Sequence, residues 1–301
     1  MTLDLEGTDL FATVNGVRLC YRLSGQENGP PVFLIAGLGM QLVEWPKPLL
    51  DGLRAHYRVI QLDNRDMGLS ERLGRAYDAL PEGFGWTRPH GARAPYHLAD
   101  MAADVLALAD YLGISRFAVA GFSMGGMIAQ HVAMIAPSRV SALLSLCSAG
   151  GTPVATGLAE SDRMIERFFV LPVTRDAQLD LYCQSAEFYS HGAMAAGDAE
   201  TIAMSQALLD RMDLGGGDAG GYLRQALAIT DSADWSDQLP LIEAPTFVAH
   251  GMDDPCLPVA EGRRAAKGIA KATLQTYGGV GHWISDQMAL DAVEWLRWQG
   301  L

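Results

Sequence analysis

Short apolar segments of strand length alternate with amphipathic segments along this chain, and no other feature restricts its fold as strongly. A strand that is apolar on both faces is typical of a parallel sheet covered by helices. The alternation therefore predicts an α/β fold, with a mostly parallel central sheet and helices on both faces. The apolar segments are residues 32–37, 57–63, 116–121, 140–148, 245–251 and 272–279.

The segments between these strands have helical periodicity. Met101, Val105, Leu108 and Leu112 recur every three or four residues within the segment 99–113, and aspartates stand between them. This spacing places the apolar side chains on one face of a helix. Helices are also predicted over residues 124–136 and 289–298.

An alternating segment near the N-terminus, FATVNGVRLCYRLSG, predicts a β-hairpin. Asn15 and Gly16 lie at its centre, and an Asn-Gly pair suits the two-residue turn that matches the twist of antiparallel strands. We expect this hairpin to form an antiparallel N-terminal edge on the otherwise parallel sheet.

Residues 151–239 interrupt the alternation, because they contain helical segments and no clear buried strand. We interpret them as a helical cap inserted into the fold. The α/β core is then formed by residues 1–150 and 240–301.

Charge and cysteine content exclude several classes of partner and site. The 35 acidic and 22 basic residues give a net charge of −13, which argues against nucleic acid or an anionic membrane as a partner. No apolar run approaches the length of a membrane span, and the N-terminus lacks the pattern of a signal peptide. The four cysteines are far apart without a CxxC pair, so we expect a reduced, cytoplasmic protein without a metal site. Self-association is left open.

Ser123 lies in GFSMG, where a predicted strand ends and a helix begins. Gly121 and Gly125 permit the sharp turn that holds a serine side chain clear of the backbone. A serine hydroxyl becomes a good nucleophile only when a base takes its proton, and the base needs a third group to orient it. The motif therefore predicts a nucleophile, provided that the chain supplies these partners.

The candidate base is His282, in the glycine-rich segment GGVGHW between the last predicted strand and the last helix. Reactive groups in α/β proteins lie on such loops, at the carboxyl ends of strands. His250 is the competitor, although its place at the end of a strand favours a structural role. Asp253 and Asp254 follow the strand 245–251, and either could orient the histidine.

An oxyanion needs hydrogen-bond donors. The backbone N–H of Met124 is one candidate, because it follows the nucleophile at a helix N-terminus. Leu38 is the other, in the glycine-rich loop AGLGM that follows the early strand.

Together these motifs resemble those of the α/β-hydrolase fold, from the hairpin to the final helix. LIAGLG resembles the HG-x-G loop with Ala36 in place of histidine, and LDNRDMGLS resembles a D-x-R-G-x-G-x-S turn with Asp66 in place of glycine. HGMDDP resembles G-x-x-D-P, which implies Asp254 rather than Asp253 as the acid. GVGHW resembles G-x-G-H and implies His282 as the base. The combination is most similar to bacterial esterases that include aclacinomycin methylesterase-like proteins, although nothing in the sequence identifies a polyketide substrate.

The resemblance implies a serine-dependent carboxylic ester hydrolase that acts on a small to medium apolar ester through an acyl-enzyme, without metal or cofactor. The alternatives are a lactonase, thioesterase or cofactor-free perhydrolase on the same triad, or a receptor-like ligand-binding protein with little turnover. The expected partner is a small-molecule ester. Candidate substrate-binding residues are Met40, Trp45, Phe168 and Tyr189.

Overall fold

A single sheet organises the chain. The computed structural model describes residues 3–74, 93–152, 159–216 and 219–300. Within these residues eight strands form a sheet of order β1-β2-β4-β3-β5-β6-β7-β8. The pairs β1–β2 and β2–β4 are antiparallel and all other neighbouring pairs are parallel. The predicted fold class is therefore confirmed, including its antiparallel edge.

The strands and helices have the following bounds. The strands are β1 (Leu10–Val14), β2 (Val17–Gly25), β3 (Pro31–Ile35), β4 (Arg58–Leu62), β5 (Phe117–Phe122), β6 (Val140–Leu146), β7 (Thr246–Gly251) and β8 (Ala272–Tyr277). The helices are α1 (Lys47–Arg54), α2 (Leu98–Tyr111), α3 (Met124–Ile135), α4 (Ala159–Glu166), α5 (Arg175–Tyr189), α6 (Ala199–Leu214), α7 (Ala219–Asp231), α8 (Val259–Gly268) and α9 (Asp286–Trp298). A short 3₁₀ helix spans Ser236–Leu241.

Each face of the sheet is covered by helices, which explains the uninterrupted apolar runs. Successive side chains of a strand point to opposite faces. In β3, Phe33 and Ile35 pack in the core that contains residues of α2 and α3, whereas Val32 and Leu34 pack in the core that contains residues of α1 and α9. Because both sets are fully buried, neither face of this strand tolerates a polar side chain.

The hairpin turn has the backbone geometry that its sequence predicts. Asn15 and Gly16 both have positive φ, at 48° and 76°. Positive φ at both central residues is what a type I′ turn requires. The turn thereby aligns β1 with β2 and places the antiparallel edge at one end of the sheet.

Helices α4–α7 lie between β6 and β7 and contact the loops that follow several strands. Arg211 of α6 bonds to Asp63 after β4 at 2.8 Å, and Arg224 of α7 makes bonds of 2.7 and 3.0 Å to Asp66. The carbonyl of Tyr189, the last residue of α5, accepts the N–H of His282 at 2.6 Å. The helices are therefore fixed to the carboxyl edge of the sheet. Residues 153–158 and 217–218 of the predicted cap lie outside the described residues.

We expect the Asp63–Arg211 pair to contribute strongly to stability. Arg211 is 6% exposed and Asp63 fully buried, so Arg211→Met leaves a buried carboxylate without its cation. Removing one partner of a buried pair typically lowers the free energy of unfolding by about 3–5 kcal/mol. Denaturant titration measures this loss.

Arg175→Met is the matched control. Arg175 pairs with Asp210 and Asp213 at the surface, and exposed pairs of this kind contribute about 1 kcal/mol or less. Equal losses in the free energy of unfolding of the two variants would show that the buried pair stabilises the fold no more than the exposed pairs do.

None of the described helices combines the length and the apolar character needed to cross a membrane.

Candidate active site

Ser123 sits on the tight turn between β5 and α3. Its backbone adopts φ 53° and ψ −122°, a conformation that non-glycine residues rarely occupy. A Cβ at Gly121 would come within 2.0 Å of the Gly125 carbonyl oxygen, and one at Gly125 within 1.9 Å of the Ile35 oxygen. Both positions therefore require glycine, and the strained turn presents the serine at the carboxyl edge of the sheet.

Two further predicted residues meet this serine. The Nε2 atom of His282 is 2.9 Å from Ser123 Oγ, and its Nδ1 atom is 2.6 Å from Asp254 Oδ2. With a proton on Nδ1 that is donated to the carboxylate, Nε2 is free to accept the hydroxyl proton. The structure thus brings the three residues predicted as nucleophile, base and orienting acid into one hydrogen-bonded row.

The second aspartate of the pair has a different environment. Asp254 Oδ1 accepts the backbone N–H groups of Cys256 and Leu257, both at 2.8 Å, so that Oδ2 is directed at His282. Asp253 instead accepts the N–H of Gly279 at 2.7 Å. The structure therefore brings Asp254, and not Asp253, to the histidine.

His250 contacts the same carboxylate and is not the histidine that bonds to the serine hydroxyl. It is fully buried, its Nε2 atom is 2.8 Å from the Leu257 carbonyl oxygen, and the same atom is 3.4 Å from Asp254 Oδ2. It packs against Gly262 of α8, where a Cβ would come within 2.7 Å of its Nδ1 atom. These contacts make His250 part of the support of Asp254.

The pKa values of the two partners shift in opposite directions. Burial of Asp254 favours its neutral form, but the imidazoles of His282 and His250 outweigh burial and hold its pKa below the ordinary value. Burial likewise favours the neutral form of His282, yet the carboxylate of Asp254 outweighs it and raises the pKa of the imidazole. The carboxylate thus stays ionised and makes the ring a stronger base.

Met124 and Leu38 are the residues whose backbone N–H groups were predicted to bind an oxyanion. Met124 is the first residue of α3, where N–H groups lack acceptors within the helix. Leu38 lies on the loop after β3 and lines the same cavity as Ser123. Within the part of the chain that the structure describes, neither N–H donates a hydrogen bond. Both are therefore free to bind a ligand oxygen.

A side chain of α7 holds the loop that carries Leu38. Gln225, which is fully buried, accepts the N–H of Gly39 at 3.1 Å and donates to the carbonyl of Arg65 at 2.7 Å. Gly39 has φ 72°, and a Cβ there would overlap the ring of Tyr222 at 2.5 Å. The inserted helices thus shape the loop beside the serine.

A cavity of about 220 Å³ opens beside Ser123 and His282. Three of the four residues proposed from sequence as substrate-binding, Met40, Phe168 and Tyr189, line it. The fourth, Trp45, does not: it is fully buried in the core that contains α1 and α9. Its large apolar side chain is withdrawn from solvent among apolar residues of that core, where burial is favourable, and the expectation that it contacts substrate is corrected.

Several residues that sequence reasoning missed contribute to the site. Tyr222 stacks on Phe168, with ring centroids 5.2 Å apart, and Gln225 holds the loop that carries Leu38. Glu44 lines the cavity only six residues after Leu38. No helix was predicted at Gln225, so no local pattern in the sequence indicated its role. Nothing in the sequence around Glu44 indicates that its carboxyl borders a cavity.

The chain is similar to known proteins over most of its length. Residues 30–288 match the alpha/beta hydrolase fold family. The chain is 29% identical over 277 residues to the non-heme chloroperoxidase of Streptomyces lividans, covering 90% of this chain and 91% of the relative. It is 26% identical over 265 residues to 3-oxoadipate enol-lactonase 2 of Acinetobacter baylyi, covering 87% and 86%. The enol-lactonase structure from Burkholderia xenovorans shares the fold, with a TM-score of 0.73 and 23% identity over 96% of this chain and 99% of that one.

Proposed function

This chain belongs to the alpha/beta hydrolase fold family, and from that premise we propose that it is a serine-dependent carboxylic ester hydrolase. It acts on a small to medium, largely apolar ester through an acyl-enzyme intermediate. The observation that carries the proposal is the continuous row from Asp254 through His282 to Ser123, with distances of 2.6 and 2.9 Å. A structural serine would not need an oriented base at hydrogen-bond distance.

In the proposed mechanism His282 takes the proton of Ser123 as the hydroxyl oxygen attacks the ester carbonyl. The N–H groups of Leu38 and Met124 stabilise the oxyanion that forms. The protonated imidazole then gives its proton to the leaving alcohol, and the C–O bond of the ester breaks. In the second step His282 activates water, which attacks the acyl-enzyme and releases the acid. Asp254 orients the imidazole throughout, and the reaction draws on no metal or cofactor.

We also propose that residues 151–239 form a cap over a core of residues 1–150 and 240–301. Support comes from the cavity lining, which combines core residues such as Ser123 with Phe168, Tyr189 and Tyr222 of the inserted segment. A cap of this kind excludes water from the reacting carbonyl, which strengthens each electrostatic contact.

A panel of substrates tests the reaction class. Simple alkyl esters, lactones and thioesters at equal concentration should all be compared, with peracid formation from acetate and hydrogen peroxide as a further arm. We expect alkyl esters to have the highest kcat/KM. Turnover of none of these substrates would favour the receptor-like alternative.

Lactone hydrolysis is the second candidate, because the 26% identical relative is named an enol-lactonase. A lactone is a cyclic ester, so the same residues and the same acyl-enzyme would serve. A kcat/KM for lactones above that for open-chain esters would favour this candidate over the first.

The pH dependence of kcat/KM should follow the ionisation of His282. The base must be neutral to accept a proton, so the rate rises with pH through a single ionisation. Because Asp254 raises the pKa of the imidazole, we expect the midpoint above the ordinary histidine value of about 6.5. A midpoint below that value in a pH–rate profile would mean that burial of the ring outweighs the carboxylate.

Gln225→Ala should lower kcat more than it changes KM. The variant removes the acceptor of the Gly39 N–H, so the adjacent Leu38 N–H loses its fixed position, which matters most once the oxyanion forms. We expect about a tenfold loss in kcat, measured by steady-state kinetics. Gln206→Ala on α6 is the control, since Gln206 bonds only to Asp210 at the surface among the described residues. An increase in KM with unchanged kcat would assign Gln225 to substrate binding instead.

A further inference from the structure

One carboxyl group stands on the wall of the cavity that Ser123 and His282 line. Glu44 lies on the loop between β3 and α1, and no Lys or Arg occurs among the described residues that line the cavity. A carboxyl group without a cationic partner in apolar surroundings is costly to keep ionised. Its presence on an otherwise largely apolar wall therefore calls for a ligand group that pairs with it.

The loop holds this carboxyl group in place and leaves one oxygen unused. Glu44 Oε1 accepts the backbone N–H of Gln41 at 2.5 Å. The side chain of Gln41 is itself fixed, because it donates to the Leu208 carbonyl at 2.8 Å and accepts from Arg211 at 2.9 Å. Glu44 Oε2 has no hydrogen-bond partner among the described residues. It is available to a molecule in the cavity.

A second unpaired polar group lines the same cavity. Ser205 of α6 lines the cavity and is 1% exposed, yet its hydroxyl has no hydrogen-bond partner among the described residues. It lies one helical turn before Leu208, whose carbonyl is bonded to Gln41 next to the Glu44 loop. Since buried polar groups are nearly always hydrogen-bonded, this hydroxyl also indicates a ligand.

Aromatic rings line the same cavity as the carboxyl group. Tyr182 is near enough for the charge of Glu44 to add to burial in raising the pKa of its phenol. It lies edge-on to Phe168, with centroids 5.3 Å apart, and Phe168 stacks on Tyr222. The faces of such rings attract cations, and a carboxylate beside aromatic rings is a recurring way to bind an ammonium group.

The pKa of Glu44 is that of a buried carboxyl group to which no cation is bonded. Burial raises its pKa to about 8; the Gln41 N–H and the Arg211 guanidinium act against burial, and the Asp63 carboxylate acts with it. Without a ligand the group therefore tends to hold its proton near neutral pH. A positive ligand group beside Oε2 would return it to the ionised form.

We propose that Glu44, with Ser205 and the ring of Tyr182, forms a subsite for a protonated amine, so that the preferred esters are apolar apart from one ammonium group. The ammonium donates to Glu44 Oε2 and to the Ser205 hydroxyl, while its alkyl substituents contact the rings. A substrate carboxylate at this position would meet Glu44 without a cation to offset it. The preference for amine-bearing esters rests on the proposed ester hydrolysis. Binding of the amine at the subsite does not require turnover.

The test compares matched esters. Ethyl ω-methylaminoalkanoates of increasing chain length, whose secondary ammonium carries two N–H donors and one methyl group, are each paired with the ester in which CH₂ replaces NH, and with the ω-carboxy ester. For the best chain length we expect kcat/KM about tenfold higher for the amine than for its carbon isostere, and lowest for the carboxylate. In Glu44→Gln the ratio of amine to isostere should fall to about one. Glu27→Gln, at an exposed acid far from the cavity lining, should keep the wild-type ratio.

Calorimetric titration of the Ser123→Ala protein with the same esters measures binding without turnover. Tighter binding of the amine that depends on Glu44 supports the subsite even if no ester is hydrolysed, in which case the proposed reaction fails alone. Hydrolysis without preference for the amine at any chain length overturns the subsite and leaves the proposed reaction intact. A preference that survives in Glu44→Gln also overturns it.

Discussion

Ser123→Ala is expected to lower kcat for ester hydrolysis by about 10⁵–10⁶-fold, while substrate binding stays close to that of the wild type. The variant removes the oxygen that attacks the carbonyl, and His282 then has no hydroxyl proton to accept at 2.9 Å. The oxyanion donors and the cavity remain, so a small residual rate above that in water persists. Steady-state kinetics with an ester that releases a chromophore measures the loss.

Two controls separate loss of the nucleophile from loss of structure. Ser115→Ala changes an exposed serine outside the cavity lining and should leave kcat unchanged. The melting temperature of Ser123→Ala should be at least that of the wild type, because alanine removes only a hydroxyl group. A kcat within tenfold of the wild type would exclude Ser123 as the nucleophile.

Asp254→Asn should lower kcat by about 10⁴-fold, whereas Asp253→Asn should lower it little. The Asn side-chain NH₂ can donate a hydrogen bond to Nδ1 of His282 and so favours the tautomer that carries its proton on Nε2, where the base must accept one. It also removes the charge that stabilises the protonated ring, the charge that raises the pKa of His282. Asp253 bonds to the N–H of Gly279 and does not reach the imidazole.

The paired variants are matched in sequence and in chemistry, since neighbouring residues receive the same substitution. kcat values for both, measured on the same ester, test the assignment. A larger loss in Asp253→Asn would contradict it. Equal losses would mean that the loop after β7, rather than one carboxylate, determines activity.

Features set by local backbone rules could be predicted from the sequence. The Asn15-Gly16 turn has positive φ at both residues, and each of the six apolar runs overlaps a strand. The turn at Ser123 follows from glycines whose positions leave no room for a Cβ. These predictions depend on local steric restrictions and on the spacing of apolar residues along the chain, and both can be read from a single sequence.

Helices that depend on tertiary contacts were missed. Residues 219–231 begin among glycines with low helix propensity, so their sequence gave no helical prediction. In the structure Arg224 and Gln225 of this helix bond to Asp66, Gly39 and the Arg65 carbonyl. Those long-range bonds stabilise α7, and no local pattern reveals them. Asp66 lies at the position where the D-x-R-G-x-G-x-S motif has glycine, and its carboxylate accepts hydrogen bonds from Arg224.

The direction in which a loop side chain points could not be predicted from the sequence either. Trp45 and Glu44 are neighbours in a loop, yet Trp45 is buried against the sheet while Glu44 lines the cavity. Trp45 was predicted to contact substrate because it follows the predicted oxyanion loop closely in sequence. Glu44 was not predicted to do so. Which side chain faces a cavity depends on loop geometry that neither periodicity nor composition encodes.

The most direct test of the central claim is the intact mass of the protein after treatment with a fluorophosphonate. This reagent phosphonylates a serine that an adjacent base activates, with loss of fluoride. We predict one adduct, located by peptide mass spectrometry at Ser123, and none in Ser123→Ala. Absence of an adduct in the wild type, or an adduct of equal yield in Ser123→Ala, would contradict the account.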